Sequence, residues 1–131
     1  LLAMAGWIIL IFLPRRWPVL FWVPQFWIPG VLALGYSGLI LANFGTSDGG
    51  FGTLSEVRAL FSSDALLLAG WIHYLAFDLF IGALLARKIM EAGLPRLVLV
   101  PVLPLTFLFG PIGFLLGHII LFTRNPQALA R

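Results

Sequence analysis

The chain has 131 residues, 61% of them hydrophobic and 10% charged, with a formal net charge of +3 and no cysteine. Ordinary soluble domains carry about 25% charged residues, so too little polar surface exists for a water-soluble globule and the natural solvent is a bilayer. Eight basic residues without a long run argue against a nucleic-acid surface, and the missing cysteines exclude disulfides, thiolate metal sites and a cysteine nucleophile.

Charges and turn residues divide the chain into apolar runs that predict an all-α, polytopic integral membrane protein. The expected architecture is a single bundle of four transmembrane helices at residues 1–13, 19–43, 66–86 and 97–122. The first run, "LLAMAGWIILIFLP", is short for a bilayer and reads as the end of a helix whose start is missing. In the second run, Pro24 and Pro29 predict a bend, with Trp17, Trp22 and Trp27 suited to the membrane interface. The Gly-rich turn "GTSDGGFGT" follows. Residues 53–61 then read either as a plain connector or as a short amphipathic helix. Such a helix would carry Leu54, Val57, Leu60 and Phe61 on one face and lie on the membrane or over the bundle mouth.

Loop charge predicts the orientation. Arg15 and Arg16 in the first connection, and Arg87, Lys88 and Arg96 against Glu91 in the third, put loops 14–18 and 87–96 on the cytoplasmic-equivalent side. Four crossings then place both termini on the opposite side. There the tail arginines run against the rule, with Arg124 snorkelling to lipid phosphates.

The third run holds "GWIHYLAFDLFIG", with His73 and Asp78 near its centre. An ionisable residue at that depth costs about 2.5–3.5 kcal/mol on insertion scales, so its default reading is functional. At about 100° per residue, His73 and Asp78 lie roughly 140° apart and do not form one metal-binding pair. Asp78 shares a face with Trp71, Tyr74 and Gly82, while His73 shares one with Phe77, Phe80 and Leu84. Counting about 1.5 Å per residue from the inner ends of runs three and four puts Asp78 and Thr106 at similar depth. The expectation is a hydrogen bond between them, with Tyr74 lining the same pocket. The structural alternative is a protonated Asp78 that serves packing alone and a neutral His73 donating to a backbone carbonyl.

In the fourth run, Gly110, Gly113 and Gly117 permit close helix contact. Pro111 frees a backbone carbonyl near Phe107. Aromatic rings on runs three and four suggest a slot for a long apolar ligand. The candidate catalytic residues are Asp78, assisted by His73 or Tyr74. The candidate ligand-binding residues are Trp71, Phe77, Thr106, Phe107 and Gly110. Too few nitrogen and oxygen ligands come together for a metal, and no cofactor is predicted. One acid, one imidazole, one phenol and one hydroxyl suit proton transfer on a hydrophobic substrate, or hydrogen bonding to a polar group at its end.

"LFSSDALLLAGWIHYLAFDLFIGALLAR" followed by "GLPRLVLVPVLPLTFLFGPIGFLLGHII" resembles the abscisic-acid-deficient-4-like family of small membrane proteins. Its plant members are plastid proteins required for making the xanthophyll neoxanthin, and relatives occur in bacteria. The resemblance implies a four-helix membrane protein linked to carotenoids. It points to Trp71, His73, Tyr74, Asp78 and Gly82, and to Pro104, Thr106, Phe107, Gly110, Pro111 and Gly113. It implies a bacterial inner or photosynthetic membrane, or a plastid membrane. Two readings share one site: a carotenoid-modifying protein that rearranges an end group by acid/base chemistry, or a non-enzymatic subunit of a larger pigment–protein complex that binds carotenoid or lipid. The partners expected are the lipid bilayer, a carotenoid and other membrane subunits.

Overall fold

The structure, a computed structural model, describes residues 1–12 and 18–125, the side chains of residues 18 and 19 excepted. Arg15, Arg16, Trp17 and the tail beyond residue 125 therefore lie outside the described residues. The helices are α1 (Leu2–Phe12), α2 (Ile28–Asn43), α3 (Leu54–Leu60), α4 (Asp64–Glu91) and α5 (Leu99–Arg124).

A 3-10 turn (Pro18–Phe21) and a π turn (Val23–Trp27) lead into α2. Pro24 has no N–H to give an α-helical bond, and the Ile28 N–H closes instead on the Val23 carbonyl five residues back. Trp22 and Trp27, expected at the interface, are exposed on this segment. By length and composition, residues 23–46, 64–91 and 96–124 could each cross a membrane, while Leu2–Phe12 is shorter.

At 28 residues, α4 is the axis of the bundle, about 42 Å long. It extends beyond the predicted run at both ends, because Asp64, Arg87, Lys88 and Glu91 are tolerated in terminal turns outside the hydrocarbon. Residues of α1 advance in step with it: Gly6 lies on Leu79, and Trp7 and Leu10 lie on Gly82. The two helices are thus parallel. Residues of α2 run the other way, with Phe26 against Phe80 (6.1 Å between centroids) and Tyr36 against His73 (5.5 Å). The Arg96 guanidinium donates to the Ile11 carbonyl at 2.8 Å, so α1 ends where the α4–α5 link lies.

The segment expected as the fourth crossing takes a different course. Phe109 has φ −143° and ψ 60°, which breaks α5 in its middle. Beyond the break the chain turns back on itself. A Cβ at Gly113 would land on the Thr106 backbone nitrogen and hydroxyl, a contact that residues seven apart in a straight helix never make. Contacts with α4 show the same reversal. Gly110 lies against Asp78 and Gly117 against Leu85. In a straight antiparallel pair those two contacts would be inconsistent by about 20 Å. Residues 99–108 therefore descend antiparallel to α4, and residues 110–124 return parallel to it.

α5 is a re-entrant helical hairpin with its tip beside Asp78, the fifteenth of the 28 residues of α4. Leu99 and Val102 of the descending arm and Leu121 of the returning arm share one core with Leu85 and Ile89. Arg124 thereby comes to the same end of the bundle as Arg87, Lys88 and Arg96. The expectation that the segment after the fourth run emerges opposite the third connection is corrected, and so is its apparent conflict with the charge rule.

Candidate functional site

The broken helix creates two half-helix ends at mid-membrane, each with unpaired backbone groups. Pro111 offers no N–H to the Phe107 carbonyl, and the turn at Phe109 frees the Leu108 carbonyl. In hydrocarbon no water can satisfy them. The Tyr74 hydroxyl does so, donating to the Leu108 carbonyl at 2.8 Å with the Phe107 carbonyl at 3.3 Å. One turn along α4, the Asp78 carboxylate lies against Gly110, where the returning half-helix begins. That is the positive end of the half-helix dipole. Two residues four apart on α4 thus face the two ends of the break. A Cβ at 110 would strike the carboxylate, so any larger residue there would have to push Asp78 from its place.

The site is closed from the α1 side by Trp7, buried between Gly82 and the Phe107 ring, whose centroid is 5.4 Å away edge-on. Two buried polar atoms here have no partner among the described residues, Asp78 Oδ2 and Trp7 Nε1. Trp71 stacks on Tyr74 (5.5 Å, 19°) and is 59% exposed toward the surface that the re-entrant hairpin leaves uncovered.

Of the residues the sequence singles out, Asp78, Tyr74, Gly110, Phe107 and Trp71 come together at this node. Thr106 does not bond Asp78 as expected. It is fully buried, but its hydroxyl donates to the Val102 carbonyl of its own helix at 2.8 Å, so its one proton is used there. His73 and Phe77 face α2 instead. Their rings stack at 4.7 Å, and Phe77 lines a groove with Phe26, Gly30 and Phe80. Among the described residues the exposed His73 makes no backbone hydrogen bond, unlike the structural alternative, and it stands beside the Tyr36 and Phe77 rings. His118 keeps to its own helix, with Nδ1 2.9 Å from the Phe114 carbonyl.

Trp7 and the Leu108 carbonyl escaped the sequence reading. The tryptophan carries no motif, and a carbonyl is released only where the backbone breaks. Gly113 was marked for close helix contact, but its neighbour is its own helix rather than another.

The fold and site define an α-helical membrane protein with a buried carboxylic acid and a half-buried phenol at a helix break. A family model described as ABA DEFICIENT 4-like matches residues 1–116. The chain belongs to that family. No curated protein and no solved structure matches it.

Proposed function

We propose that the Asp78–Tyr74 node carries out acid/base rearrangement of a carotenoid end group. The observation that carries this reading is Asp78 Oδ2, buried at the centre of the bundle with no hydrogen-bond partner among the described residues. Buried side-chain polar atoms ordinarily have a partner, so an open carboxyl oxygen here is available to a ligand. The carotenoid class comes from the family, whose plant members serve xanthophyll synthesis.

For an epoxide end group the chemistry balances without a redox cofactor. The carboxylic acid gives its proton to the epoxide oxygen as the C–O bond opens. The other carboxylate oxygen takes a proton from the neighbouring carbon, and the electrons of that C–H bond form the new double bond. The acid ends as it began, and the product is an isomer of the substrate. Tyr74, one turn away on the same face, donates to the Leu108 carbonyl and holds the broken end of the descending arm beside the carboxyl. The polyene lies in the leaflet where α5 is absent, along the exposed Trp71 ring. The end rich in Arg87, Lys88, Arg96 and Arg124 faces the cytoplasm or its equivalent.

The test is turnover by purified protein in nanodiscs supplied with a xanthophyll epoxide. Asp78→Asn is expected to lower turnover by about 10²–10⁴-fold while pigment still binds. Unchanged turnover in that variant sinks the reading.

The exposed Trp22, Trp27 and Phe77 rings favour a second reading, a non-enzymatic subunit packed against neighbours in a pigment–protein assembly. Stoichiometric pigment and co-purifying membrane chains, without turnover, would select it.

A further inference from the structure

The descending arm of α5 spans only one leaflet, and an arginine stands at its head. We propose that the groove between the end of α1 and this arm is the seat of one anionic phospholipid, with its phosphate on Arg96 and an acyl chain along the arm.

The groove holds about 410 Å³, and Ile11, Leu97, Val100, Leu103 and Pro104 line it together with Arg96. Apart from the arginine its lining side chains are apolar. Leu97 is 81% exposed and Val100 67%, so no other part of the chain covers them. Arg96 and Pro104 are eight residues apart, about 12 Å along the arm at 1.5 Å per residue. Half of a hydrocarbon layer about 30 Å thick is about 15 Å. The groove thus runs from headgroup level most of the way to the midplane and stops short of the break at Phe109. A slot of that depth matches a lipid chain of one leaflet, not a molecule long enough to span both.

The arginine is held at the mouth of this slot. Its Nη2 donates to the Ile11 carbonyl at 2.8 Å, one of the last four carbonyls of α1, which have no partner within their own helix. That bond positions the guanidinium and leaves its charge unchanged. A planar guanidinium matches the oxygens of a phosphate two at a time. Its surroundings carry the same sign. In the α4–α5 link, Arg87, Lys88 and Arg96 stand against Glu91 alone, and Glu91 lies 3.7 Å from Arg87 on α4. By the charge rule this end faces the cytoplasmic leaflet, the one that carries anionic lipid, and basic pockets between helices on that side hold anionic headgroups.

A free phosphate would satisfy the guanidinium alone, and a neutral lipid the apolar wall alone. An anionic phospholipid satisfies both, and the structure sets the two side by side in one groove. Neither Asp78 nor Tyr74 lines it, so this proposal and the catalytic reading fail separately.

The protein in a neutral detergent is titrated with phosphatidylglycerol and with phosphatidylcholine of the same acyl chains, and bound lipid is counted by native mass spectrometry. The expected result is one phosphatidylglycerol held about tenfold more tightly than phosphatidylcholine. Glycerol 3-phosphate, which has the anion without the chains, is expected not to displace it. Arg96→Gln keeps a donor for the Ile11 carbonyl but removes the charge, and is expected to abolish the preference. Val100→Trp fills the groove with the charge intact, and is expected to weaken phosphatidylglycerol binding about tenfold. Lys88→Gln changes the charge of the same end outside the groove, and is expected to leave the preference as in the parent. The proposal is overturned if the parent binds the two lipids equally, if glycerol 3-phosphate displaces the lipid, or if Arg96→Gln keeps the preference. It is also overturned if Val100→Trp binds as tightly as the parent, or if Lys88→Gln loses as much preference as Arg96→Gln.

Discussion

Asp78 and Tyr74 owe their roles to the absence of side chains opposite them. The carboxylate occupies the place a Cβ at Gly110 would take, and Gly113 lets the two arms of α5 meet at the Thr106 backbone. Backbone cannot yield as the end of a flexible side chain can, so Gly113→Ala is expected to lower stability by about 1–3 kcal/mol. Gly35 has nothing within 4 Å of its would-be Cβ. Gly35→Ala is therefore expected to be neutral, or to stabilise by up to about 1 kcal/mol through helix propensity. Thermal unfolding in detergent compares the two variants, and equal effects would contradict the close approach. At this scale the sequence was informative about identity and less so about partners. The depth of Asp78, the shared face with Tyr74 and the carbonyl near Phe107 all follow from helical spacing and one proline. The Thr106 pairing does not form, because the hydroxyl turns to Val102 on its own helix.

Among the elements, α5 departs most from its sequence reading. Its apolar length of 26 residues suits a crossing, and composition alone has no means of telling a straight helix from a hairpin. The signal was present in "LFGPIGFLLG", where three glycines and a proline follow one another closely. Glycines at spacings of three and four, however, describe contact with another helix as well as with the same one. What decides the matter is tertiary: Tyr74 of α4 caps the descending arm. Tyr74→Phe leaves the Leu108 carbonyl unpaired in hydrocarbon and is expected to cost about 1–3 kcal/mol. Thermal unfolding of that variant checks it, and an unchanged midpoint would mean that the cap is dispensable. The connector before α4 was legible in part. The face of Leu60 and Phe61 marks a short helix, and its seat on Gly70 required knowing which way α3 folds.

For the molecule as a whole, a helix that crosses fully would place the segment after α5 at one end of the bundle, and a re-entrant hairpin places it at the other. The hairpin gathers Arg87, Lys88, Arg96 and Arg124 at one end and leaves Asp48, Glu56 and Asp64 toward the other, on the 44–64 connection. This arrangement satisfies the charge bias that four straight crossings violate. It also puts the break of α5, with its buried acid and half-buried phenol, halfway across the membrane, and leaves the Trp71 side of α4 open to lipid in one leaflet. The proposed function depends on the bundle being built this way.

The chain has no cysteine, so a single one introduced at Asn125 reports its side without background. Single cysteines at Leu94 and Asp48 mark the two ends of the bundle. In sealed, oriented vesicles treated with a membrane-impermeant thiol reagent, the structure requires the cysteine at position 125 to react from the same side as that at 94 and opposite to that at 48. Labelling of position 125 from the side of position 48 would mean that α5 crosses the membrane, and would remove the hairpin on which the Asp78 site is built.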